Sequence, residues 1–146
     1  MKRLVFVLMM CLVVGACGSK TDKRKKTFPV VGQLLIDGKP VEQVAVYCMP
    51  VDGQDKENPT STSAFTDADG RFEFNTYEQG DGVPEGDYVL TFKWGKFNLV
   101  TAAYGGDKLK GKYSDPKKSE FKITVSADMS VDGKPIDVGK IELKSK

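Results

Sequence analysis

The sequence of 146 residues contains no histidine, and its only cysteines are Cys11, Cys17 and Cys48. The missing imidazole excludes Ser-His-Asp triads, His-ligated zinc and histidine proton shuttles. Cys11 and Cys17 fall in an apolar N-terminal segment, so Cys48 is alone in the body of the chain. No intramolecular disulfide and no cysteine cluster for a metal is expected there. A solitary thiol without a histidine partner reads as a small buried hydrophobe. A long hydrophobic run is also missing. Leu4 to Val14 is a run of eleven apolar residues, against the roughly twenty a helix needs to cross a bilayer. Net charge is nearly absent too. The formal charge of +2 rests on Lys2 and Arg3, and without them twenty basic side chains meet twenty acidic ones. Such a balance supplies no overall drive toward nucleic acid. No Gly-rich loop between a strand and a helix offers a phosphate cradle, and no cofactor or metal is expected.

What is present at the N-terminus has the layout of an address. Met1-Lys2-Arg3 is a positive start, the apolar run comes next, and small residues close it, as in a secretory signal. Val14-Gly15-Ala16-Cys17 then resembles the lipobox of bacterial lipoproteins, with Val14 where leucine is commoner. The resemblance implies cleavage before Cys17, a thioether diacylglyceryl group on its sulfur and an N-acyl chain such as palmitate. Two or more chains hold a protein firmly in a membrane, whereas one holds it marginally. Gly18 follows the cysteine with no acidic residue, which points to an outer membrane. Residues 18–27 carry Lys20, Lys23, Arg24, Lys25 and Lys26 against Asp22 and no apolar side chain. They read as a solvated tether whose cations also suit anionic headgroups. The expected organisation is a signal peptide over 1–16, a lipidated basic tether over 17–27 and one domain over 28–146.

From Phe28 onward the hydrophobic period is two. Val30, Gly32, Leu34 and Ile36 share one face, and Asp37-Gly38-Lys39-Pro40 makes a turn. Val44, Val46 and Cys48 share the next inward face. A polar loop over 53–63 contains Pro59. Thr66-Asp67-Ala68-Asp69-Gly70 reads as a hairpin turn leading to Phe72 and Phe74. Tyr88, Leu90, Phe92 and Trp94 alternate against Asp87, Thr91 and Lys93, with Val89 out of pattern. Phe121, Ile123 and Val125, then Ile141 and Leu143, complete the series. About seven short strands separated by Gly, Pro and Asp turns predict an all-β, antiparallel β-sandwich. Asp37-Gly38-Lys39-Pro40-Val41 recurs as Asp132-Gly133-Lys134-Pro135-Ile136, which reads as one turn chemistry used twice.

The order of these motifs resembles carboxypeptidase regulatory-like domains. The resemblance rests on Val30 to Val41, on Val44 to Pro50, where the family often has an aromatic in place of Cys48, and on Thr66 to Phe72. Thr76-Tyr77, Gly80 to Tyr88 and Asp107 to Tyr113 are similar to a subset found in bacterial envelope lipoproteins. The resemblance covers most of residues 29–144. It implies a prealbumin-like or immunoglobulin-like sandwich, usually without catalysis and without a defined ligand. A transthyretin-like hydrolase, an enzyme on a related sandwich, uses histidines that this chain lacks.

Two stretches are candidate sites. Asp67-x-Asp69-Gly70, with Glu78 at the twelfth position counted from Asp67, has the outline of a calcium loop, but Phe72 and Phe74 inside that window read as strand, so a turn is favoured. The stretch 95–119 is long for a connection within a sandwich, and such loops are often functional. It holds Phe97, Tyr104, Asp107, Lys108 and Tyr113, a set that suits stacking on a sugar or gripping an envelope protein. The plainer reading, preferred here, folds the same aromatics back as a lid over the sandwich. The expected function is a non-catalytic envelope lipoprotein, bound to a membrane through Cys17, that engages a glycan or a protein. A structural envelope protein with no discrete ligand is the alternative.

Overall fold

The computed structural model describes residues 24–146. The signal peptide, the lipobox and Cys17 lie outside the described residues. The strands are β1 (Thr27–Phe28), β2 (Val30–Ile36), β3 (Lys39–Pro40), β4 (Val44–Pro50), β5 (Thr62–Phe65), β6 (Arg71–Glu73), β7 (Val83–Pro84), β8 (Gly86–Trp94), β9 (Lys96–Asn98), β10 (Ala103–Gly105), β11 (Lys122–Val125) and β12 (Ile136–Leu143). Two four-stranded sheets carry the fold. One has the order β11-β8-β4-β5; in the other, β2 pairs β12 on one edge and both β3 and β6 on the opposite edge. The pairs β1-β7 and β9-β10 stand apart as short two-stranded ladders. The architecture is the all-β sandwich that the alternation predicts.

The core lies between the two sheets because the strand parity puts it there. Val30, Leu34 and Ile36 from β2 face Val44, Val46 and Cys48 from β4 and Leu90 and Phe92 from β8. Phe72 and Phe74 meet edge to face at 5.4 Å, an arrangement that the ring quadrupoles favour. Gly32 lets Phe72 lie across it: a Cβ at this position would stand 2.5 Å from the Phe72 ring. Glycine is used there for close approach of an aromatic rather than for an unusual backbone angle.

Three features differ from the sequence expectations. First, β12 runs parallel to β2, from Ile136 opposite Val30 to Leu143 opposite Ile36, with a register shift between Asp137 and Lys140. The other ladders are antiparallel. A parallel pair needs a crossover, and the segment from Ser126 to Pro135 supplies it by leaving β11 in one sheet and arriving beside β2 in the other. Second, the Thr66–Gly70 hairpin turn, across which the Asp67 N–H donates to the Arg71 carbonyl at 2.8 Å and Ser63 bridges Asn75 antiparallel, also passes the chain from one sheet to the other, since β5 ladders with β4 and β6 with β2. The Asp67 Oδ1 accepts from the backbone N–H groups of Asp69 at 3.0 Å and Arg71 at 2.8 Å. Third, the end of the expected tether lies on the domain. Arg24 pairs with Glu78 at 2.8 Å, Lys25 with Asp55 at 2.7 Å, and Thr27–Phe28 forms β1.

Candidate functional site

The 95–119 stretch is built rather than loose. Its first part is the β9-β10 hairpin, in which Tyr104 pairs with Phe97 across the ladder. The Tyr104 hydroxyl accepts the Gly95 N–H at 2.6 Å and shares its proton between the carbonyls of Gln43 and Lys93, each at 2.8 Å. Burial pushes its phenol above the ordinary value, against the lowering effect of the Gly95 N–H. The ring stands edge-on to Phe65 at 5.4 Å. Gly95 makes this seat possible, because a Cβ there would lie 2.8 Å from both the Tyr104 ring and the Gly106 carbonyl.

The second part turns around Asp107. Its Oδ1 accepts the N–H groups of Trp94 and Leu109, both at 3.0 Å, and its Oδ2 that of Gly111 at 2.8 Å. This carboxylate ties the loop to the end of β8 and inserts Leu109, which is fully buried, into the core. Lys108 sits 4.1 Å over the Trp94 ring. Tyr113 is half-buried, edge-on to Phe92 at 6.4 Å, and its hydroxyl accepts the Lys144 N–H at 3.0 Å. Of the residues expected as a binding surface, Tyr104, Asp107, Lys108 and Tyr113 therefore all have partners within the domain. Phe97 is placed only by its strand pairing. The structure does not gather them into one open face.

An open concavity does exist, on the outer face of the β11-β8-β4-β5 sheet near the start of β8. It is a groove of about 820 Å³ whose floor includes Tyr47, Met49, Val89 and Thr91 and whose walls come from the loops after β4 and before β11. The register puts Tyr47 beside Thr91 and Met49 beside Val89. Thr91 is only 3% exposed, although the alternation assigns it with Asp87 and Lys93 to the solvent face. The two flanking loops rise above the sheet and enclose it. Sequence reasoning missed this groove because its walls are the polar loop around 53–61 and the turns around 114–119, neither of which carries an aromatic besides the flanking Tyr113. The usable signal was the outward parity of Tyr47 and Met49 in β4.

A second concavity, about 660 Å³, lies on the outer face of the opposite sheet over Gly32, Phe72 and Gln33. Its rim mixes Asp67, Glu73 and Asp137 with Arg71 and Lys140, so it presents no charge of one sign. Among the described residues no group of His, Cys, Asp or Glu is arranged to hold a metal ion, and no helix is long and apolar enough to cross a membrane. Burial pushes the Cys48 thiol far up from its ordinary value, which withholds the thiolate that a nucleophile or metal ligand would require.

No family model matches the chain, and no curated protein matches it. Among solved structures it is similar to a 9R-lipoxygenase from Cyanothece PCC8801, at 18% identity and a TM-score of 0.40. The match covers 81% of this chain and 16% of the lipoxygenase chain. At that score the likeness bears on neither the fold nor the chemistry of this protein.

Proposed function

We propose that this chain is an envelope-anchored lipoprotein, held in an outer membrane by acyl chains on Cys17, whose β-sandwich binds a glycan or a protein without catalysing a reaction on it. The observation that carries the proposal is Val14-Gly15-Ala16-Cys17 at the end of a short apolar run with a basic start. The basic residues after it lead directly into the domain: Arg24 and Lys25 are held by Glu78 and Asp55. They dock near the start of β8, while the β9-β10 hairpin leaves from its far end at Trp94. A nine-residue strand separates those ends by about 30 Å, so a membrane-tethered domain exposes its far loops away from the bilayer. The carboxypeptidase regulatory-like resemblance agrees with a presenting module and implies no reaction.

The partners that Tyr104, Asp107 and Tyr113 find within the domain favour a second reading, a structural envelope protein with no discrete ligand. Mass spectrometry of the mature N-terminus, combined with fractionation of Cys17→Ser cells, tests the anchor. An acylated Cys17 and release of the variant are expected; an unmodified Cys17 with normal retention removes the anchor. Crosslinking in cells separates the two readings, since a defined captured partner supports binding and none supports the structural role.

A further inference from the structure

We propose that the groove on the outer face of the β11-β8-β4-β5 sheet is a binding site for an acidic saccharide, a sugar whose rings carry carboxylate groups. This deepens the binding reading above and names its ligand class, but the groove itself does not depend on the lipid anchor.

Three properties of the groove point to that chemistry. The first is its floor. Met49 and Tyr47 are 43% and 36% exposed and stand beside Val89, forming an apolar platform with one aromatic ring. Sugar rings offer C–H faces to such a platform, and aromatics supply contact area at small entropic cost. The second is an unspent polar group at the bottom. Thr91 is almost wholly buried and its hydroxyl bonds to no described residue, yet among the described residues no fully enclosed polar side-chain atom lacks a partner. The hydroxyl therefore opens onto the groove. The Tyr47 hydroxyl at the same level bonds to no described residue either. A buried hydroxyl without a bond costs free energy unless water or a ligand meets it, and sugar hydroxyls both donate and accept.

The third property is charge. In a domain with balanced acids and bases, the groove has Lys117 and Lys122 on one wall and no acidic residue among those that line it. Neither ammonium is in an ion pair with a described residue. Of the acids in the flanking loops, Asp55 pairs with Lys25 at 2.7 Å and Asp115 with Lys118 at 3.9 Å, while Asp52, Glu57 and Glu120 lie outside the groove lining. The Lys25 bond holds the Asp55 carboxyl down at about 2. The charged side chains that line the groove are thus both cationic, over an apolar, hydroxyl-bearing floor, which suits a carboxylate carried on a sugar ring better than a neutral chain.

The test is a saccharide array containing neutral and uronic or muramic acid oligosaccharides of matched length, probed with the full chain. Carboxylated members should be retained over their neutral counterparts, and the retention should weaken with added salt. Lys117→Ala with Lys122→Ala should raise Kd by tenfold or more, and Tyr47→Ala by about tenfold, roughly 1.4 kcal/mol at 25 °C. Lys117→Glu with Lys122→Glu should abolish retention, and an unchanged thermal melt of each variant shows that the fold is intact. Equal retention of neutral and acidic members overturns the proposal. So does retention that survives the charge reversal. Binding of a fluorescent fatty acid with no carboxylated saccharide retained gives the groove to an acyl chain and also overturns it. If crosslinking in cells still captures a partner in that last case, the binding role of the protein stands while this ligand assignment falls.

Discussion

At the Trp94 end of the outer face of the β11-β8-β4-β5 sheet, Ala45 is fully enclosed, because Tyr104 reaches over it to both of its cross-strand neighbours, Phe65 and Lys93. At the Tyr88 end, two residues along the same strand face, Tyr47 and Met49 stay partly open above a groove. On the same sheet face, read by the same alternation, the chain's own hairpin covers Ala45 at one end, with Phe65 left exposed at its edge, and no hairpin covers Tyr47 and Met49 at the other. The difference teaches that an aromatic on a loop is poor evidence of a site when the loop returns to the sheet. An aromatic on a strand that nothing covers is better evidence.

Alkali should break both ends together, because it acts on the core beneath them. Burial pushes the Tyr88 hydroxyl up to about 12 and the Cys48 thiol higher still. A raised folded pKa means the neutral form is favoured in the fold, so its contribution is full below the unfolded values, near 10.0 for the tyrosine and 9.0 for the thiol. It is lost as pH rises beyond them. Urea midpoints should therefore fall steadily from about pH 9 to about pH 12. Under native conditions near neutral pH a thiol reagent should leave Cys48 unlabelled and react with it only once denaturant is added. Rapid native labelling would reverse the inward facing of β4.

The closed end should be sensitive to small changes. Leu109→Ala removes a fully buried side chain from the loop that seals the sandwich, and a loss of about 2–5 kcal/mol is expected from urea denaturation. A loss below about 1 kcal/mol would mean that the loop lies on the core without closing it. Asp107→Ala strips the acceptor from three backbone N–H groups and should cost about 1–3 kcal/mol, with faster amide exchange at Trp94, Leu109 and Gly111. Tyr104→Phe keeps the ring and deletes the hydroxyl that joins Gly95 to Gln43 and Lys93, for about 1 kcal/mol. Faster amide exchange at Gly95 in that variant would sharpen the contrast.

The open end should tolerate what the closed end does not. Tyr47→Ala is expected to shift stability by about 0.5 kcal/mol or less, as exposed substitutions usually do. A melt that falls as far as that of Leu109→Ala would erase the distinction between the two ends and make Tyr47 a packing residue.

Local sequence determined which residues turn inward and where the chain bends. The inward faces of β2, β4 and β6 come from the alternation, since side chains two apart must share a side of a strand. The repeated Asp-Gly-Lys-Pro turn is also local: Asp37 and Asp132 both take left-handed φ values, 52° and 55°, and the glycines after them 76° and 69°. These backbone angles suit Asp and Gly regardless of context. The direction of the strand after each turn is not local. After the first, β3 folds back antiparallel on β2; after the second, β12 lies parallel to β2. Nothing in Lys39-Pro40 or Lys134-Pro135 separates these outcomes, because direction is set by where the preceding strand lies. The chain reaches the first turn from β2 itself and the second from β11 in the other sheet. Burial on the outer face was tertiary for the same reason. Thr91 alternates as a solvent-facing residue, and Tyr104 and Tyr47 are alike as letters. Only the placement of two loops and one hairpin over the sheet decided that Thr91 is enclosed, Tyr104 is seated and Tyr47 is left open.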